Sequence, residues 1–309
     1  MPQLTRKRLL LAKIEVNYAE DPTPDGTNAI LVRNLDITPL QSDIVQRELI
    51  RPYLGNYEQL LAQTRVQVTF EVELAGSGTA GTAPAYGPVL RACGLAQTIG
   101  ATTVTYVPLS SSFPSVALYF FQDGIRHIVT GARGSFTLNG TVGAIPTISF
   151  EMTGIYNAPT TPAAVVPTYA AQATPLIFKN GNTTSFSAFG YAAALQSIDL
   201  NMSNEIIYRE LVGGTKEVLI TDRKPSGTLQ IESPALATKD YFTTSTGNTL
   251  GSITFQHGTA AGNRATLTMA QADLADASYT DMDGITMLNL PYVATPTAAG
   301  NDELSLVFT

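Results

Sequence analysis

Tryptophan is absent from this 309-residue sequence, cysteine occurs once and histidine twice. The single thiol, Cys93, excludes an intramolecular disulfide and a cysteine-rich metal site. It lies in the apolar stretch 89–95, where a small buried residue is expected. His127 and His257 have no ligating neighbours at metal-site spacing, so structural roles are expected for both. Charged residues make up 14% of the chain, against about 25% in ordinary soluble domains. So little charge predicts a surface largely covered by partners. The plainer alternative is a β-protein of small residues with a polar, uncharged surface. A net charge of −7 argues against gripping nucleic acid, which needs a basic patch to neutralise phosphate. No stretch approaches the roughly 18 apolar residues of a membrane-spanning helix. Arg6, Lys7 and Arg8 precede only a short apolar run, followed by Lys13 and Glu15, which predicts no secretory leader. The chain is expected to stay in a cytoplasm until it assembles.

What is present is a weak internal repeat. Residues 35–49 read LDITPLQSDIVQREL and residues 198–211 read IDLNMSNEIIYREL, an offset of about 162 with one residue of slippage. Further on, Thr69-Phe70-Glu71-Val72-Glu73 matches Thr228-Leu229-Gln230-Ile231-Glu232 in the same order. The length suits two domains of about 150 residues, each able to form a core. The expected division is 1–160 and 161–309, with the proline-rich, uncharged segment 157–168 as the linker. A duplicated scaffold doubles surfaces, which favours a ring-former or adaptor over a catalyst.

Residues 65–74, RVQVTFEVEL, alternate apolar and polar side chains with the period of a half-buried antiparallel strand. Strands are also expected over 9–16, 29–36, 116–121, 126–130, 134–138 and 147–156 in the first half. In the second half they are expected over 176–179, 193–200, 205–211, 218–221, 227–232, 252–257, 264–270, 284–292 and 301–308. Residues 43–49 read as a short strand or a helical turn, and 51–64 as a polar, aromatic connection. Asp123-Gly124 supplies the positive φ of a hairpin turn. One helix is expected in each half, over 84–96 and 234–242. The fold class is therefore mainly β: two tandem antiparallel β-sandwich or barrel domains, each with one short α-helix.

Nothing in the chain points to catalysis. Gly76-Ser77-Gly78-Thr79-Ala80-Gly81 lacks the Gly-Lys-Ser/Thr ending of a phosphate loop and reads as a flexible connection. Asp281-Met282-Asp283-Gly284 opens like a calcium loop, but the later ligands are missing and a turn is expected. Glu71 and Glu73 share one face of a strand, where the default is solvent; acid/base work would require their pKa values to be driven apart. There is no nucleophile elbow. No catalytic, cofactor or metal site is expected.

Several segments resemble tail tube proteins of long-tailed, non-contractile bacteriophages. They are 74–94, with a strand, a Gly-rich loop and a helix, together with YFFQDGIRHIVTGARG at 119–134, LITDRKPSG at 219–227 and ESPALATKDYF at 232–242. Gly300-Asn301-Asp302-Glu303-Leu304 also fits, and the likeness is weakest in the first 30 residues. The resemblance implies a structural virion protein of the phage tail, assembled in the host bacterial cytoplasm, polymerising as stacked rings into the conduit for DNA ejection. With two domains per chain it implies a homotrimeric ring of pseudo-sixfold symmetry. The tape measure protein and DNA would pass through the lumen without specific binding; tail tip and terminator proteins would be partners, and no membrane, cofactor or metal is implied. Glu71, Glu73 and Glu232 are the candidate acidic lumen residues, against the alternative that they face outward or pair with basic residues. Arg51, Tyr53 and Tyr57, in the connection 50–64, are candidates for ring stacking, as is the N-terminal arm through Asn28. A baseplate or distal tail hub ring and a virion β-sandwich binding module are the alternatives.

Overall fold

The computed structural model describes residues 3–309 as a mainly β protein with two short helices. The first half contains β1 (Arg8–Ile14), β2 (Ala29–Ile30), β3 (Arg33–Gln46), β4 (Gln59–Glu73), α1 (Gly87–Ala92), β5 (Leu95–Ile99), β6 (Val104–Pro108), β7 (Val116–Gln122), β8 (Ile125–Thr141) and β9 (Thr147–Tyr156). The second contains β10 (Thr183–Ala188), β11 (Leu195–Asn201), β12 (Asn204–Glu210), β13 (Lys216–Arg223), β14 (Ser226–Glu232), α2 (Tyr241–Thr246), β15 (Gly251–His257), β16 (Ala265–Leu274), β17 (Ser278–Met282), β18 (Ile285–Ala294) and β19 (Ser305–Phe308).

The alternation in β4 orients the sheet. Val66, Val68, Phe70 and Val72 are buried, whereas Gln67, Thr69, Glu71 and Glu73 point to the other face. Register then carries this sidedness along eight antiparallel strands in the order β3-β4-β9-β8-β11-β14-β18-β17. Four of these come from each half. Phe150, Leu138, Leu200, Leu229 and Leu290 continue the apolar face, and the core residues of both halves form one contiguous cluster.

The two halves repeat one plan. In the first, β1 pairs with β7, β7 with β8, β8 with β9, β9 with β4 and β4 with β3. In the second, β10, β15, β16, β18, β14 and β11 follow in the same succession. The repeated sequence motifs meet each other in both copies: Asp36 lies opposite Thr69, and Asp199 opposite Thr228. The long hairpin of β3 and β4 corresponds to a hairpin broken in two, with β11 and β14 near the body and β12 and β13 as a separate two-stranded arm. The distal parts of both hairpins carry a matching ion pair, Arg47–Glu58 and Arg209–Glu217. The halves are joined by β8 with β11, by β6 with β19, and by the Gly-rich loop.

Several boundaries differ from the sequence expectation. The helix expected over 84–96 is only α1; Gly94 at φ +84 ends it, and Leu95 starts a hairpin, β5–β6, that helical periodicity had absorbed. The helix expected over 234–242 begins later, at α2, where the Asp240 side chain accepts from Thr243 N–H at 2.9 Å. Residues 176–179 are not a strand; β10 takes that role. Residues 43–46, read as a short strand or a helical turn, are strand and continue β3, whereas 59–64 extend β4 well into the expected connection. The strands expected over 126–130 and 134–138 are one, β8, with a bulge where Gly131 adopts φ +60. β17 was not anticipated. The N-terminal arm is partly a core strand: β1 pairs with β7, and Leu10 is fully buried. The Gly-rich loop 76–81 is not free: Gly78 N–H donates to Gly262 O at 2.9 Å and Gly76 N–H to Asn263 Oδ1 at 2.8 Å. A Cβ on Gly262 would stand 2.5 Å from the Gly78 backbone, so this close approach requires glycine.

Candidate assembly interface

The face of the eight-stranded sheet turned away from the core is polar and acidic. By register it carries Asp36, Glu71, Glu73, Glu151, Asp199 and Glu232, together with the guanidinium groups of Arg33, Arg65 and Arg133. The three acidic residues singled out from sequence therefore share one surface. Glu73 and Glu232 hold the same place in the two copies, at the ends of β4 and β14. Glu71 is partly neutralised: its Oε2 lies 3.7 Å from Arg33 Nε. Sequence reasoning missed Asp36, Glu151 and Asp199, although the first and last sit inside the repeated LDI and IDL motifs. Asp199 is half-buried; burial raises its pKa, and the Thr228 N–H donated to its Oδ2 at 3.0 Å opposes that rise.

The sheet ends in two open edges. Among the described residues, β3 pairs only with β4, and β17 only with β18. Unpaired edges of this kind are templates for another strand. Tyr279 of β17 points to the apolar side, opposite Leu288, yet is 60% exposed.

The hairpin of β3 and β4 runs out from the body as an arm with bare apolar side chains, among them Leu40, Ile44, Val45, Leu60 and Leu61. Arg51, Tyr53 and Tyr57 meet at its tip: the Arg51 guanidinium stacks 4.7 Å from the Tyr53 ring centroid and 4.3 Å from that of Tyr57. Arg51 also donates to Asn56 O at 3.0 Å, which fixes the turn. Ile50 and Leu54 beside it are fully exposed. An apolar surface this extensive marks an interaction site rather than a solvent face.

The second arm, β12–β13, is covered on one face, that of Val218 and Ile220, while Ile207, Leu211 and Val212 stay exposed. Val218 is buried; its N–H donates to Tyr18 Oη at 2.6 Å and its carbonyl accepts from Arg133 Nη1 at 2.6 Å. Arg223, at the foot of β13, holds Glu303 at 2.8 Å and donates to Leu109 O in the first half.

The other sequence candidates are structural features. His257 Nδ1 lies 2.9 Å from Thr183 Oγ1, its Nε2 lies 3.2 Å from Leu176 O, and the ring stacks on Phe178. Burial holds the pKa of His257 below the ordinary imidazole value, as it does for His127. Burial pushes the Cys93 thiol up. Asp283 and Gly284 both have positive φ and turn β17 into β18. Among the described residues, no group of three or more His, Cys, Asp or Glu side chains could hold a metal ion, and no helix is long and apolar enough to cross a membrane.

A family model described as phage tail tube protein matches residues 5–306, nearly the whole chain. The chain belongs to that family and is a structural component of the phage tail. No curated protein matches the sequence.

Proposed function

For this member of the phage tail tube family, we propose the role of major tail tube protein in a long-tailed, non-contractile phage. Residues 1–160 and 161–309 act as two tandem tube domains, and three chains close a ring of pseudo-sixfold symmetry. Rings stack into the conduit through which the tape measure protein and then DNA pass without specific binding. Tail tip and terminator proteins bound the tube, which is built in the host cytoplasm.

The observation that carries this reading is the eight-stranded sheet, with four strands from each half and an open edge at either end. Such a sheet joins head to tail, and a heterologous contact that closes makes a ring. Three copies supply roughly 24 strands; at about 4.8 Å spacing the wall is roughly 115 Å around and 37 Å across before strand tilt widens it. Duplex DNA fits that opening. The acidic face supports a lumen that repels DNA, which carries one charge per about 1.7 Å of axis. Arg51, Tyr53 and Tyr57 at the arm tip are the proposed stacking contact.

Negative-stain electron microscopy of concentrated protein tests this. Stacked rings with a central hole and threefold end views are expected. Closed rings that never stack would point instead to a tail hub component, and end views with six separate chains would overturn the trimer.

A further inference from the structure

The chain contains one complete domain junction, and the register of that junction can be transferred to the contact between chains. Within the chain, β11 of the second half pairs with β8 of the first: Leu200 opposite Leu138, Asp199 opposite Asn139, and Asn201 opposite Thr137. The residues equivalent to β11 lie on β3, since Asp36 and Asp199 face matching threonines. The residues equivalent to the end of β8 lie on β17. Leu138 lies opposite Ile148 of β9, and Tyr279 opposite Leu288 of β18, where Ile148 and Leu288 occupy the same place relative to β4 and β14. These two equivalent strands, β3 and β17, are the two open edges.

Resting on the ring reading above, we infer that β3 of one chain pairs antiparallel with β17 of a second copy, with Ile37 opposite Tyr279, Asp36 opposite Thr280 and Thr38 opposite Ser278. The apolar pair Leu200 and Leu138 is fully buried at the internal junction. Its counterpart pairs Ile37 with Tyr279, which covers the exposed ring. Pairing stops at Thr38, because Pro39 stands where Met202 N–H donates to Phe136 O and has no N–H to give.

A second, independent feature supports the same contact. At the internal junction, Arg133 of β8 grips the β12–β13 arm through Val218 O. Arg133 lies opposite Thr153 of β9; the equivalent position on β16, opposite Val293 of β18, is Asp273. One carboxylate oxygen of Asp273 is buried without a hydrogen-bond partner, and so is the hydroxyl of nearby Thr295. Buried polar groups are ordinarily hydrogen-bonded, and the arm of a neighbouring chain can supply the partners here. The bare β3–β4 arm of the neighbour arrives at this place, as β12–β13 does within the chain, and its Gln59 stands where Val218 stands.

Cysteine pairs test the register. Thr38 and Ser278 are both exposed, so the substitutions leave the core untouched, and the native Cys93 is buried. Residues directly opposite in an antiparallel pair have Cα atoms about 4.5–5.5 Å apart, within disulfide reach; a pair displaced by two residues is about 7–8 Å apart and is not. In the full-length chain, Thr38→Cys with Ser278→Cys is expected to shift the non-reducing gel band to dimer and trimer under mild oxidation. Thr38→Cys with Thr280→Cys is expected to stay at the single-chain position. Mixing the two single variants T38C and S278C should give dimer and no larger species. Rings visible in the microscope without the in-register cross-link would overturn the β3–β17 pairing while leaving the ring reading in place. Absence of both rings and cross-links would overturn the two together.

Discussion

Ile220 and Leu61 stand at the same place in two copies of one hairpin, opposite Ile206 and Ile44 respectively, yet Ile220 is 9% exposed and Leu61 is 58% exposed. Ile220 packs against the first half of its own chain beside Gly94, whereas Leu61 is largely open to solvent. Ile220→Ala should therefore destabilise the isolated chain by about 2–4 kcal/mol, and Leu61→Ala should change it by less than about 0.5 kcal/mol. Urea unfolding measures both. In sedimentation velocity the order should reverse, with Leu61→Ala weakening self-association; equal effects on unfolding would count against the arm being an assembly surface.

Arg223 and Glu303 form an ion pair almost out of water, with Arg223 also holding Asn301 Oδ1 at 2.8 Å. Arg223→Met leaves the Glu303 carboxylate buried and unpaired, and a loss of about 3–5 kcal/mol in unfolding free energy is expected. An unchanged urea midpoint would show that the pair contributes little.

Glu232 is exposed and Glu71 and Glu73 are half-buried, all three on the face turned away from the core, so their charge can be reversed without disturbing the core. The triple variant E71K/E73K/E232K should fold like the parent, by circular dichroism. Assembled, it should retain duplex DNA in a filter-binding assay, with retention falling steeply as salt rises. Equal, negligible retention by parent and variant would place these residues away from the DNA path.

Burial lowers the pKa of His257 and of His127, so the unfolded chain takes up protons first as pH falls. The contribution of these residues is complete above the ordinary imidazole value of about 6.5 and is lost below it. The melting temperature should drop on going from about pH 7.5 to about pH 5.5, and His257→Gln should make that slope shallower. An unaltered slope in the variant would assign the acid sensitivity elsewhere.

Much of the fold is legible wherever one strand face is buried by the chain itself. β4, β9 and β14 alternate cleanly, and the Asp-Gly turns mark the β7–β8 and β17–β18 hairpins. The shared face of Glu71, Glu73 and Glu232 follows from that alternation and from the repeat. The least legible strand is β17, whose residues are all exposed: it pairs with β18 on one side and no buried face gives it an apolar pattern. β5 was hidden for a different reason, because Val89, Leu90 and Cys93 set a helical period that continues on paper past the point where Gly94 ends the helix. Asp240 rather than Pro234 starts α2, because a side-chain cap satisfies the first turn where proline only permits it. The open edges at β3 and β17 could be found in the sequence only by laying one repeat over the other and asking which strand has no counterpart to pair with.

The two arms end in tips of unequal length, residues 47–58 on one and 211–215 on the other. In a closed ring of three chains, long and short tips alternate around the rim. Successive rings can then mesh in only three angular settings, not six. On the proposed trimeric ring the duplicated chain would act as a mechanical key, with a near-sixfold bore and a threefold indexing of one ring upon the next.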